Sequence, residues 1–499
     1  MTTITTHWLD GQPYEGNHVT TSPIHDPATG GFVGELAHAT PEDVEAIIAS
    51  SRKASENWSQ VSLAKRTAIL FRFRELLVEH TDALAEIVTR EHGKVLWDAK
   101  GEVARGLEVV EFACGIPQLL KGEFSEQAAT GIDVYSFRQP VGVVAGITPF
   151  NFPVMIPLWM SPVAIAAGNT FILKPPGRDP GAGMFLAELW KMAGLPDGVF
   201  NVVHGDREVI GRLLTHPDVD AISFVGSTST AKIIFETGTR HGKRVQALGA
   251  AKNHGLVLAD ADLDSTVENL VAAAYGAAGE RCMALPVALV QEDIADELVA
   301  KLVAKAAQVK VGPGTSAGVD MGPVISEQAK ARITGLIDSA EAEGAEILVD
   351  GRNLVVEGYE GGYFLGPTVV DKVSPEMTIN QHEVFGPTLE IIRVAGLEEG
   401  IEIINRNRYG NGAAIFTSSG ESARTFQRAV QVGMVGVNVP IPVPVAWHSF
   451  GGWKDSMIGE SHIYGPEGVN FYTRGKVVTQ RWPRQSGKVS FHFSGDAQK

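Results

Sequence analysis

Cys282 stands in Gly279-Glu280-Arg281-Cys282-Met283, between an Ala/Gly-rich stretch and the apolar run at 284–290. Small neighbours leave room for a substrate beside the sulfur. Arg281 next to it predicts a share of thiolate, the nucleophilic form. A lone cysteine fits a buried structural role as well, so this signal needs others beside it. Asn151 lies among prolines and aromatics in ITPFNFP (147–153). An amide fixed in a rigid apolar loop suits a developing oxyanion, although an asparagine also satisfies turns. FVGSTSTAK (224–232) reads as a strand, a glycine turn at Gly226 and a helix start. The free N–H groups of such a start hold phosphate, and glycine lets the backbone approach. The chain has no G-x-G-x-x-G fingerprint. Cys114 and Cys282 are the only cysteines, without a C-x-x-C. They form no disulfide framework and suit a reducing compartment.

The elements that must position these residues alternate. Strand-like runs at 140–147, 169–175, 200–206 and 221–227 are separated by helical segments at 155–168, 184–196 and 208–216, and another follows at 229–239. This pattern predicts a parallel sheet covered on both faces. A second alternation begins near Ala251, with strands at 253–264 and 284–290 and a helix at 296–308. The segment from about Arg52 to Gly115 has helical periodicity, with Cys114 on the apolar face. The segments 130–140 and 470–482 alternate polar and apolar residues, as half-exposed strands do. They are expected to leave the main body and pair with a neighbouring subunit.

Composition narrows the partners. The 499 residues carry 58 Asp and Glu against 42 Lys and Arg, a net charge of −16. So acidic a chain repels nucleic acid and anionic membranes. No charged residue occurs from Gln139 to Leu173, but Pro140, Pro149, Pro153, Pro157 and Pro162 interrupt the stretch. A continuous membrane helix would lose hydrogen bonds at each one, so the stretch reads as buried loop, strand and helix. The N-terminus shows no secretory pattern, and the expected location is cytoplasmic.

Taken together, GERCM, TPFNFP, NTFILKP, FVGST and HEVFGP resemble the motifs of the aldehyde dehydrogenases, at like separations, from about residue 7 to 483. Longer segments, among them GKRVQALGAAKNH and VGMVGVNVPIPVPVAWHSFGGWK, are similar to the family's CoA-acylating semialdehyde branch. The resemblance implies an α/β fold. A Rossmann-type cofactor domain (1–123 and 141–250) would be joined to an α/β catalytic domain (251–450) and oligomerisation strands (124–140 and 468–490). It implies Cys282 as nucleophile, with its own N–H and Asn151 holding the oxyanion. It places NAD against Thr148, Phe150, Lys174, Arg178, Gly226, Ser227, Gly249, Glu383 and Phe385. Arg105 and Arg281 would bind the acid group of the substrate. No metal is implied. The implied reaction is oxidation of methylmalonate or malonate semialdehyde, with decarboxylation and acyl transfer to coenzyme A, in a homo-oligomer, a tetramer.

One absence favours the acylating branch. Hydrolytic relatives carry a glutamate in the stretch that here reads VQALGAAKNH (245–254), which has no carboxylate. Without a general base, water attacks a thioester slowly, whereas a thiol is intrinsically more nucleophilic. A hydrolytic semialdehyde dehydrogenase is the alternative, and a binding protein without turnover is a third reading. Two departures bear on the cofactor. Gly177 replaces the glutamate expected three residues after Lys174, and with Arg178 beside it NADP stays open. Ala250 replaces a glycine and narrows the path near the cofactor.

Overall fold

A computed structural model describes residues 4–482. Two sheets dominate. The first has eight strands, with a parallel centre in the order Arg244–Leu248, Ala221–Val225, Val143–Ile147, Thr170–Lys174 and Phe200–Val202. The second has seven strands. Six are parallel, running from Thr368–Asp371 through Val287–Gln291 and His254–Val257 to Met434–Val437. Every residue of Val143–Ile147, Thr170–Lys174 and Ala221–Val225 is buried, which is why these runs read as continuously apolar rather than alternating. The chain passes from the first sheet to the second between Leu248 and His254. It returns at Met457–Ile458, which pairs antiparallel with Arg244–Leu248.

The charge-free stretch resolves into strand Val143–Ile147, a loop, helix Met155–Ala166 and strand Thr170–Lys174. The helix is buried on every face with Pro162 inside it. Helix Leu96–Cys114 crosses it closely. A Cβ on Gly106 would fall 2.7 Å from a methyl of Leu158, so a larger residue there would push that side chain aside. No helix among the described residues is long and apolar enough to cross a membrane.

The two half-exposed strands belong to neither main sheet. Thr473–Gln480 pairs antiparallel with Ile132–Pro140 of the same chain over eight residues, and Phe124–Ala129 completes a three-stranded sheet. Phe124–Ala129 is exposed throughout and Thr473–Gln480 at most positions, so this small sheet leaves both outer strands open. The expected strand at 468–490 ends at Gln480, and its part beyond Trp482 lies outside the described residues.

Candidate active site

In the first sheet the strand order reverses beside Val143–Ile147, where Ala221–Val225 lies on one side and Thr170–Lys174 on the other. Such a reversal opens a crevice at the carboxyl ends of the strands. The Asn151 loop follows Ile147, the Gly226–Ser227 turn follows Val225, and Gly249 follows Leu248. Facing them are residues that precede strands of the second sheet: Asn253 before His254, Cys282 before Val287, Glu383 before Thr388 and Asn411 before Gly412.

A cavity of about 310 Å³ lies between the two sets of ends. Phe150, Asn151, Gly226 and Ser227 line it from the first sheet, with Gly249 and Ala250. Cys282, Arg332, Glu383 and Phe385 line it from the second. A second cavity, of about 400 Å³, is also lined by Cys282, together with Asp98, Arg105, Trp159, Arg281 and Val443. The sulfur-bearing residue is thus shared by two chambers, one lined by both expected arginines. Thr148 and Lys174 are buried outside the first chamber, the Thr148 N–H donating to the Lys174 carbonyl at 3.2 Å. Arg178 is exposed and lines a separate cleft with Gly177.

The glycines of the first chamber are sterically required. A Cβ on Gly249 would fall 2.6 Å from Thr228 Oγ1 and 2.7 Å from the Asp455 carbonyl, and one on Gly226 would fall 2.5 Å from the Phe224 ring. Ser227 caps helix Thr228–Arg240 by accepting from the Thr230 N–H, and it is exposed at the helix start.

Cys282 is held by its backbone. Its carbonyl accepts from Asn253 Nδ2 at 2.9 Å and from Asn411 Nδ2 at 3.1 Å. The preceding turn carries Ala277, Ala278 and Gly279 in left-handed conformation (φ 50°, 52° and 73°). A Cβ on Gly279 would stand 2.1 Å from the Gly386 carbonyl, so glycine lets the cysteine segment meet the Glu383–Phe385 segment. Strain of this kind is retained where it aims a functional side chain.

The Asn151 loop rests on a buried ion pair. Lys94 Nζ donates to the Asn151 carbonyl at 2.6 Å and to Glu102 Oε2 at 2.7 Å, while Glu102 Oε1 accepts from the Val154 N–H at 2.7 Å. Both side chains are fully buried. The Asn151 carbonyl is therefore occupied, and the residue lines the chamber that Cys282 shares.

A cysteine lining two chambers, with Asn151 and the glycines Gly226 and Gly249 in one of them, is the grouping expected from the motifs. The aldehyde dehydrogenase family model matches residues 14–478. The chain belongs to the aldehyde dehydrogenase family. It is 52% identical to malonate-semialdehyde dehydrogenase of Pseudomonas aeruginosa, over 98% of each chain. It is 47% identical to the human mitochondrial methylmalonate-semialdehyde/malonate-semialdehyde dehydrogenase [acylating], over 94% of this chain and 87% of that one. A Sinorhizobium meliloti protein described as methylmalonate-semialdehyde dehydrogenase and complexed with NAD superposes with a TM-score of 0.96 at 47% identity, over 97% and 99% of the two chains. The fold is that of the aldehyde dehydrogenases, and the protein is an aldehyde-acting oxidoreductase.

In this dehydrogenase the electrostatics depart from the simple reading of Arg281 beside a thiolate. Burial, and then the carboxylate of Glu383, push the Cys282 thiol up to about 12. The guanidinium of Arg281 is turned away to Asp98 Oδ1 at 2.7 Å and lowers the thiol only weakly. The N–H groups of Cys282 and Met283 bear on the sulfur and also lower it. Alkylation of the cofactor-free enzyme by iodoacetamide should therefore be slow at pH 7.5. It should climb about tenfold per pH unit through pH 10, because only the thiolate reacts. Mass spectrometry of Cys282 checks this, and a plateau below pH 9 would contradict it. Cys114, buried in the core as its helix face predicts, is pushed up to about 11 by burial.

Glu280 gave no signal in the sequence. Its carboxylate is fully buried, accepts from the Ile325 N–H at 3.3 Å, and stands 3.7 Å from His92 Nε2. His92 in turn stacks on Phe150 at 5.9 Å between ring centroids. Burial pushes Glu280 up to about 8. An acid raised on folding adds stability below its unfolded value near 4.5, and that stability is lost as pH rises through about 8. Glu280→Gln keeps an acceptor for the Ile325 N–H without the charge. It should melt higher than wild type at pH 8.5 and at nearly the same temperature at pH 5, in thermal unfolding at the two pH values.

Lys94, Glu102, Asp98, Asn253 and Asn411 were likewise silent in the sequence. Only Asn253 lay inside a quoted motif, and nothing there assigned it a task.

Proposed function

We propose that the chain oxidises malonate semialdehyde or methylmalonate semialdehyde with NAD, and delivers the decarboxylated acyl group to coenzyme A. One observation carries the acylating part. The stretch 245–254 reaches the Cys282 chamber with Gly249 and Ala250 and brings no carboxylate.

The chamber fits NAD. Gly226 and Gly249 clear its wall, Ser227 opens a helix start, Glu383 offers a carboxylate for ribose hydroxyls, and Phe150 and Phe385 meet edge to face at 5.8 Å. When bound, NAD would supply the hydride acceptor. The sulfur of Cys282 gives up its proton to water and adds to the aldehyde carbonyl. The Asn151 amide and the Cys282 N–H hold the resulting oxyanion. Loss of hydride from that adduct leaves a thioester on Cys282. Arg105 and Arg281 hold the acid group in the other chamber. Loss of CO2 leaves an enolate on the same two donors. After reprotonation the thiol of coenzyme A takes the acyl group.

The test is product analysis with methylmalonate semialdehyde, coenzyme A and either NAD or NADP. Propionyl-CoA, with one CO2 per reduced cofactor, is the expected result. Free methylmalonate would overturn the reading.

Glu383 favours a second, hydrolytic reading. It shares the chamber with Cys282, and burial pushes it up to about 7, near the value of a general base. It already accepts from the Ala251 N–H at 2.9 Å, which suits a fixed ligand for hydroxyls better than a mobile base. The assembly proposed is a homo-tetramer. Phe124 and Val477 are exposed on the three-stranded sheet and suit such a contact.

A further inference from the structure

The chamber on the far side of Cys282 from Glu383 should be strongly cationic if two arginines are to grip an acid. It is not. Arg281 Nη2 donates to Asp98 Oδ1 at 2.7 Å, and Arg105 Nη1 donates to both oxygens of Glu108 at 2.9 and 2.8 Å. The third cation nearby, Lys94, is bound to Glu102. Three cations thus meet three carboxylates.

Asp98 is the acid that takes Arg281. It sits in the first turn of helix Leu96–Cys114, lines the chamber, and is 8% exposed, with its Oδ2 buried and without a hydrogen-bond partner. A Cβ on Gly276 would fall 2.5–2.6 Å from Arg281 Nη1, Cζ and Nη2, so the guanidinium lies flat on that glycine with Asp98 at its edge.

A carboxylate buried against a substrate-binding arginine weakens that arginine's attraction for substrate, which a binding site alone has no use for. Decarboxylation gives it a use. In the thioester on Cys282 the bond from the α-carbon to the carboxylate breaks, and its electron pair moves into the enolate on the thioester oxygen. CO2 leaves neutral, and a proton from water then adds at the α-carbon, leaving hydroxide to the solvent. Two bare guanidiniums would stabilise the carboxylate before this step and lose that stabilisation during it. Binding stronger in the ground state than in the transition state slows a reaction.

We infer that Asp98, with Glu108, offsets the charge of the substrate-binding arginines, so that the acid group is held loosely enough to leave as CO2. Asp98 is a positioning and specificity residue acting through Arg281. The inference rests on the assignment of Arg281 to the substrate acid, and the test separates the two.

Asp98→Asn keeps an acceptor for Arg281 and removes the charge. KM for malonate semialdehyde should fall about tenfold, as for a shift of one pK unit in binding. KM for propanal, a neutral aldehyde, should stay within about twofold. The fraction of product that keeps its carboxylate, as malonyl-CoA, should rise above the wild-type value. Glu108→Gln, at a partly exposed position, should move both readouts in the same direction and serves if Asp98→Asn folds poorly. Arg281→Gln should raise KM for malonate semialdehyde alone. If Arg281→Gln leaves that KM unchanged, the assignment of the chamber falls and the inference falls with it. If Arg281→Gln behaves as stated but neither neutralised acid shifts selectivity or the malonyl-CoA fraction, the inference alone is overturned.

Discussion

Cys282→Ala should leave less than about one ten-thousandth of the wild-type rate of NADH formation from any aldehyde. The sulfur is the atom that bonds to substrate in every step proposed, and no second nucleophile stands in for it. Cys114, the other cysteine, is buried in the core. The loss should be confined to chemistry. The Cys282 backbone is held through its carbonyl by Asn253 and Asn411, and removing a sulfur disturbs neither bond. Melting temperature and NADH binding, read by fluorescence, should therefore stay near wild type. Cys114→Ala should keep most of its activity. Residual turnover in Cys282→Ala above a few per cent would move the nucleophile elsewhere.

The second large effect is on stability and reaches the site indirectly. Lys94→Met should destabilise the chain by about 3–5 kcal/mol, because it leaves Glu102 buried without its cation. Glu102 would keep the Val154 and Met155 N–H groups at 2.7 and 3.1 Å, and the Asn151 carbonyl would lose its ammonium donor. The double variant Lys94→Met/Glu102→Gln should recover more than half of the loss, since removing both charges is far cheaper than stranding one. Chemical denaturation of the two variants checks this. Equal destabilisation in single and double variants would mean that packing of the Lys94 stem, rather than charge, holds the loop.

Much of the positioning frame was legible in the sequence. The apolar runs at 140–147, 169–175 and 221–227 became Val143–Ile147, Thr170–Lys174 and Ala221–Val225, because strands buried on both faces leave a short, unbroken apolar signature. The motif residues Asn151, Gly226, Glu383 and Cys282 do meet in one cavity. What the sequence hid is contact between distant segments. Lys94 and Asn151 are 57 residues apart, Arg281 and Asp98 are 183 apart, and Asn411 and Cys282 are 129 apart. No local pattern encodes such pairs. The Arg281–Asp98 pair also changed a chemical expectation. Adjacency in sequence put Arg281 beside the sulfur, whereas the flat face of Gly276 and the Asp98 carboxylate take its charge away from it.

The claim on which the proposed reaction turns is that the thioester on Cys282 persists until a thiol removes it. It is tested most directly by rapid mixing of enzyme with malonate semialdehyde and NAD, with coenzyme A withheld. The account predicts a burst of one NADH per Cys282 followed by a rate at most a few per cent of that seen with coenzyme A, and no free acid in step with the burst. Continuous NADH formation at an undiminished rate, with free acid released, would contradict it. Loss of that activity in Glu383→Gln would identify the base responsible.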